Sequence, residues 1–218
     1  MSQNTTLSCI GKVCLVPLIC LMCSLSAAAS EELLRDFFVN VNSLSANFVQ
    51  RVEDESGSPL EVSAGKLYLS RPGKFRWDYQ NLDFEGEPGL QIVADGESLY
   101  FYDPDLEQVS RRSLDDAVDQ VPSLLLVQSG AELDLHFTVT DFGMADGLSW
   151  VNLTPKSEDA GYRELMVGFA EERINTLLLY DGLGNSTRLE LMAVESNIDL
   201  VSSVFEFTVP PGADLLSE

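Results

Sequence analysis

Apolar positions in this chain keep two periods, a helical one over a short stretch near residue 35 and an alternating one over most of the chain beyond it. Leu33, Leu34, Phe37, Phe38 and Val41 recur at the three-and-four spacing of a helix face, behind Glu31 and Glu32, whose charge suits the positive end of a helix. After Asn42-Ser43 the period becomes two. It predicts strands at Ser45 to Glu53, Ala64 to Arg71, Lys74 to Tyr79, Leu90 to Ala94, Ser98 to Asp103 and Gln108 to Arg112. Further strands are expected at Leu133 to Asp141, Leu148 to Pro155, Glu164 to Ala170, Ile174 to Asp181, Ser186 to Glu195 and Val204 to Val209. Turn residues separate many of them, as at Pro72-Gly73, Asp95-Gly96, Asp146-Gly147 and Asp181 to Asn185, where Gly and Asn adopt positive φ at low cost. Short antiparallel strands joined in order predict a meander that curls into a barrel or half-barrel.

One interruption breaks the alternation. Leu114 to Ser129 has helical character, with Pro122 placed for the first turn of a helix carrying Leu124, Leu125, Leu126 and Val127. Such a helix either plugs one end of the sheet as core or covers it as a movable lid. Alternation also sorts the strand faces. Leu67, Leu69 and Arg71 share one face, Phe75, Trp77 and Tyr79 share one on the next strand, and Leu99 and Phe101 lie opposite Tyr100 and Tyr102. These faces suit plain core or the wall of a ligand cavity. Arg71 is the informative polar member: a guanidinium on an apolar face must find acceptors, and the carbonyls at a helix end suit its donors, whereas at an exposed strand end it needs none.

The opening residues set the compartment. A polar start with Lys12, an apolar run from Val13 to Leu25 and the small residues Ala27-Ala28-Ala29 predict a signal peptide over residues 1–29 and a single domain over residues 30–218. Cys9, Cys14, Cys20 and Cys23 all fall within that leader, so no disulfide framework is expected. Cys20-Leu21-Met22 lacks the small residue expected before a lipidated Cys23, so the mature chain is expected to be soluble and unacylated. Without the leader, 12 basic side chains face 35 acidic ones, a formal charge of −23. Nucleic acid is not an expected partner, because phosphate binding needs clustered cations.

Catalysis and metals find little support. His136 is the only histidine, lies in an expected strand, and has no Gly-x-Ser-x-Gly elbow to accompany it. Asp103-Pro-Asp105 with Glu107, and the Asp181 to Asn185 turn, lack the spacing of a calcium loop. No enzyme activity, cofactor or metal is expected.

The block Arg71-Pro-Gly-Lys-Phe-Arg-Trp-Asp-Tyr79, then Val93-Ala-Asp-Gly-Glu-Ser-Leu-Tyr-Phe-Tyr-Asp103 and Leu106-Glu-Gln-Val109, resembles the outer-membrane lipoprotein carrier family, LolA. Leu44-Ser-Ala-Asn-Phe-Val-Gln50, Leu153-Thr-Pro155, Asp181-Gly-Leu-Gly-Asn185 and Phe205-Glu-Phe-Thr-Val-Pro-Pro211 extend the likeness over nearly the whole mature chain. The resemblance implies a mainly β fold: an incomplete, strongly curved antiparallel β-barrel with α-helices covering its concave apolar face. It implies a monomeric periplasmic carrier of acylated lipoproteins. Such a carrier receives cargo from an inner-membrane lipoprotein-releasing ABC transporter and passes it to an outer-membrane receptor lipoprotein. Leu67, Leu69, Phe75, Trp77, Leu99 and Phe101 are then expected to line the lipid cavity, with Phe37, Leu124 and Leu125 in the lid and Arg71 as its latch. A carrier of the same fold for another lipid, such as a glycolipid, is the alternative.

Overall fold

The structure, a computed structural model, describes residues 29–80, 88–114, 126–127, 130–158 and 160–217. Helix α1, Ala29–Asn40, forms where the helical spacing places it, with Glu31 and Glu32 in its first turn and no basic residue in its last. It buries Leu34, Phe37 and Phe38. Eleven strands come next, in two runs. The first is β1 Ser43–Glu53, β2 Pro59–Ser70, β3 Lys74–Gln80, β4 Pro88–Asp95, β5 Ser98–Asp103 and β6 Gln108–Ser113. The second is β7 Phe137–Ala145, β8 Leu148–Pro155, β9 Tyr162–Ala170, β10 Arg173–Asp181 and β11 Ser186–Ser196. A short helix α2, Gly130–His136, leads into β7, and a final strand β12, Asp214–Ser217, ends the described chain.

All twelve strands form one sheet in the order β12-β6-β5-β4-β3-β2-β1-β11-β10-β9-β8-β7. Both runs are meanders, and they are joined by the antiparallel pairing of β1 with β11; only β12 runs parallel to its neighbour, β6. The sheet curls strongly. Six inter-strand steps separate β4 from β9, about 29 Å in a flat sheet at about 4.8 Å per step, yet Ile92 of β4 and Leu165 of β9 border one small cavity. Bulges between Ser45 and Asn47, Asp141 and Gly143, and Ile174 and Thr176 add local bend and twist. The sheet ends at β7 and β12, so the barrel is not closed by pairing of its terminal strands.

The concave face gathers one core from both meanders, including Leu44 and Phe48, Leu67 and Leu69, Phe75 and Trp77, Val151 and Leu153, and Leu165, Val167 and Phe169. Across the pleat, Leu148, Trp150 and Met166 form a smaller cluster on the opposite face. The residues after β11 cross the outer face of the first meander: Phe207 stacks on Tyr100 at 5.1 Å, and Arg76 donates to the Val204 carbonyl at 3.4 Å.

Two expected strands are corrected. Leu133 to His136 belong to α2, so the strand starts at Phe137 and runs on to Ala145; Leu133 is buried and Leu135 exposed, which a strand with both on one face would not allow. His136 therefore ends a helix instead of sitting within a strand. Val204 to Val209 is not a strand either: Ser202–Phe205 is a 3-10 turn that buries Phe205. The expected mid-chain helix lies largely outside the described residues, Leu124 and Leu125 included, but Leu126 and Val127 are buried in the concave core.

Candidate functional site

Arg71 sits where the turn after β2 meets the C-terminal end of α1. A helix leaves its last carbonyls unpaired and carries partial negative charge there, and α1 has no cation of its own in its last turn. Arg71 supplies one from 30 residues downstream. Its Nη1 donates to the Val41 carbonyl and, at 3.3 Å, to the Phe37 carbonyl, while its backbone N–H donates to the Asn42 carbonyl at 2.8 Å. The guanidinium also lies over two rings, 4.8 Å from the Phe37 centroid and 4.9 Å from that of Phe38. Burial pushes its pKa down to about 10, still far above neutral, so the cation persists.

Asn197 holds the same helix end from the other side. Its side-chain amide donates to the Asn40 carbonyl at 2.9 Å, and its Oδ1 accepts from the Asn42 backbone N–H at 2.9 Å. The residue has φ 57°, a left-handed conformation that Asn tolerates better than most. Nothing in the periodicity singles it out, because its role depends on the β1–β11 pairing.

α1 packs its apolar residues against the sheet at its β7–β9 end. Phe37 packs edge-on to Phe38 at 5.5 Å and to Phe169 of β9 at 6.5 Å. Deeper along the sheet an aromatic ladder continues, with Phe48 edge-on to Trp77 at 5.6 Å and to Tyr79 at 5.1 Å. Gly65, opposite Phe48 in the register, makes room for that ring: a Cβ there would stand 2.7 Å from it and 2.1 Å from the Asp78 carbonyl. A cavity of about 140 Å³ remains, lined by Trp77, Tyr79, Ile92, Leu165, Leu177 and Leu179, with Leu189, Gln50 and Thr187. Small-molecule sites commonly enclose roughly 300–1,000 Å³, so this space is too small for a long acyl chain.

Of the residues expected to line a cavity, Leu67, Leu69, Phe75, Trp77 and Leu99 are buried in the concave core and Phe101 packs against it, but only Trp77 borders the remaining space. Phe37, on α1, packs beside Arg71. The opposite wall, made by Leu165, Leu177, Leu179 and Leu189, is not singled out by the sequence; each of these is apolar on an alternating strand, but the pairing that brings the second meander over the first is not local. The carboxylates weighed as metal ligands serve their own turns. Asp103 accepts from the Asp105 and Leu106 N–H groups, and Asp181 from those of Leu183 and Asn185.

Comparison with known proteins agrees with this architecture. The family described as Outer membrane lipoprotein carrier protein LolA matches residues 39–208. The chain is 37% identical over 204 residues to the outer-membrane lipoprotein carrier protein of Methylococcus capsulatus, covering 93% of this chain and 95% of that one. It is 38% identical over 195 residues to the protein of that name from Cupriavidus pinatubonensis, covering 88% and 89%. Among solved structures, an uncharacterized conserved protein from Thermus thermophilus shares the fold at 12% identity and a TM-score of 0.54, over 87% of this chain and 99% of that one. With that family matched from the end of α1 to the segment that crosses the outer face, this chain belongs to the outer-membrane lipoprotein carrier family, LolA.

Proposed function

We propose that this protein is a periplasmic carrier that holds the acyl chains of lipoproteins against the concave face of its sheet. In this function it takes cargo from an inner-membrane lipoprotein-releasing ABC transporter, delivers it to an outer-membrane receptor lipoprotein, and performs no catalysis. The observation that carries the proposal is the likeness to outer-membrane lipoprotein carriers over about nine-tenths of the chain, together with an apolar face of the sheet against which its own helix packs.

Cargo and helix compete for one surface. Burying an acyl chain yields about 0.8 kcal/mol per methylene, so three chains of roughly 15 methylenes give a gross figure near 36 kcal/mol. That exceeds the practical ceiling of about 18 to 21 kcal/mol for non-covalent binding. Displacing Leu34, Phe37 and Phe38 from the concave face offsets part of it, and this offset lets a carrier release what it carries. α1, with the mid-chain segment, is the lid in this mechanism, and Arg71 is the latch that favours its seated position.

Tagged protein expressed with its leader in a Gram-negative host and captured from the periplasm tests the function. Mass spectrometry of the captured material is expected to find diacylated and triacylated proteins. Glycolipid without acylated protein would assign the chain to another lipid cargo, and material free of any lipid would overturn the proposal.

A further inference from the structure

One residue of the cavity wall carries a hydrogen-bond donor left over. Trp77 lines it and is only 7% exposed, and its Nε1 is buried with no hydrogen-bond partner among the described residues. An indole N–H donates and cannot accept, so only an acceptor satisfies it. The fold treats its other tryptophan differently: Trp150 Nε1 donates to the Ala145 carbonyl at 3.0 Å. Burying such a group unpaired is unfavourable, which is why buried donors in native proteins nearly always have partners.

Three further polar side chains border the same space. Tyr79 donates its hydroxyl to Gln50 Oε1 at 3.1 Å, and Thr187 lines the cavity beside them. Burial first, and the nearby Glu61 charge second, push the Tyr79 phenol up to about 12, so it remains a neutral hydroxyl at physiological pH. The rest of the wall is aliphatic. A hydrocarbon chain offers no acceptor to the unpaired Trp77 donor. The first acceptor on an acyl lipid is the carbonyl that joins the chain to its glycerol or amine.

We propose that Trp77 Nε1, with the Tyr79 and Gln50 side chains, forms a subsite for an acyl carbonyl, so that the linkage end of one bound chain lies at this part of the cavity and its methyl end points away. The inference rests on the acyl-carrier function proposed above. It adds recognition of the linkage to burial of the chain.

Two lipids of equal length separate the two effects. 1-Monopalmitoylglycerol has the carbonyl, 1-O-hexadecylglycerol lacks it, and each is titrated against N-phenyl-1-naphthylamine bound to the purified protein. The wild type is expected to bind the ester about 3- to 10-fold more tightly, the size of one net hydrogen bond. Trp77→Phe should erase that preference, so that ester and ether bind alike whatever their common affinity becomes, and a far-ultraviolet circular dichroism spectrum matching the wild type shows that the variant is folded. Tyr79→Phe, tested in the same way, should narrow the preference and guards against a Trp77 variant that does not fold. Equal affinities in the wild type, or an ester preference that survives Trp77→Phe, would overturn the subsite and leave the carrier function standing. Failure of both lipids to displace the probe overturns the carrier function as well. Lipoproteins and free glycerolipids both present acyl esters; a dipalmitoylglyceryl-cysteine peptide that outcompetes dipalmitoylphosphatidylglycerol assigns the carbonyl to lipoproteins.

Discussion

At the residue scale, Arg71 joins two opposing contributions. Its burial disfavours the charge, while two carbonyls at the helix end and two phenyl rings favour it, and these four groups belong to α1 or to the residue just after it. Substitution by leucine removes the donors and adds apolar surface worth about 2 kcal/mol when buried. That is a roughly 30-fold shift toward the lid-displaced, lipid-bound state at 1.4 kcal/mol per tenfold. Arg71→Leu is therefore expected to take up lipoprotein and to hand it over slowly. Arg111, which bonds Ser98 and lies over Tyr100, serves as the control. Transfer to receptor-bearing membranes is the measurement; equal release by wild type and Arg71→Leu means the latch is elsewhere. Gly65 gives a second prediction. Its missing Cβ is occupied by the Asp78 carbonyl and the Phe48 ring, so Gly65→Ala must shift backbone as well as side chain. It should cost at least about 1–3 kcal/mol, read as a lower urea midpoint, while Gly161→Ala, with nothing within 4 Å, should leave the midpoint in place.

Among the elements, α1 and most of the first meander were legible in their apolar spacing, although β2 starts at Pro59, before the alternation from Ala64, and ends at Ser70, leaving Arg71 in the turn. α2 was not. Leu133, Leu135, Phe137 and Val139 alternate across a helix–strand boundary, and only the exposure of Leu135 tells the two readings apart. β12 is four residues long and pairs in parallel, so no hairpin or extended alternation announces it. α2 also holds α1, because Arg35 of α1 grips both oxygens of Asp134 at 3.0 and 3.2 Å while bonding Glu31 within its own helix. That guanidinium holds the Asp134 carboxyl below its usual 3.8. A depressed carboxylate stabilises the fold above its unfolded value and ceases to do so as pH falls through the folded one. Wild type should thus exceed Asp134→Asn in thermal midpoint at pH 7, modestly because the pair is exposed, and the gap should close as pH falls below the ordinary aspartate range and through the depressed folded value. A gap that persists at the acid end means that the aspartate acts through something other than its charge.

Over the whole molecule, the pairing of β1 with β11 turns two local meanders into one curled sheet, and alternation alone does not specify it. Charge was legible throughout, because it needs no register: the full chain carries −22, and the chain without its first 29 residues −23. A carrier with an apolar interior and exposed apolar side chains such as Phe142, Leu215 and Leu216 risks adsorbing to any bilayer it meets. Net negative charge opposes this at anionic surfaces. The opposition reaches about 30 Å at 0.01 M salt and about 8 Å at 0.15 M. The protein is accordingly expected to stay out of phosphatidylglycerol vesicles in flotation at about 0.01 M salt. It should float with vesicles containing a cationic lipid at the same salt and be released from them at about 0.5 M, where screening removes the attraction. Flotation with the anionic vesicles at low salt would mean that exposed apolar surface outweighs charge, and that acidity does not keep the carrier in solution between its docking partners.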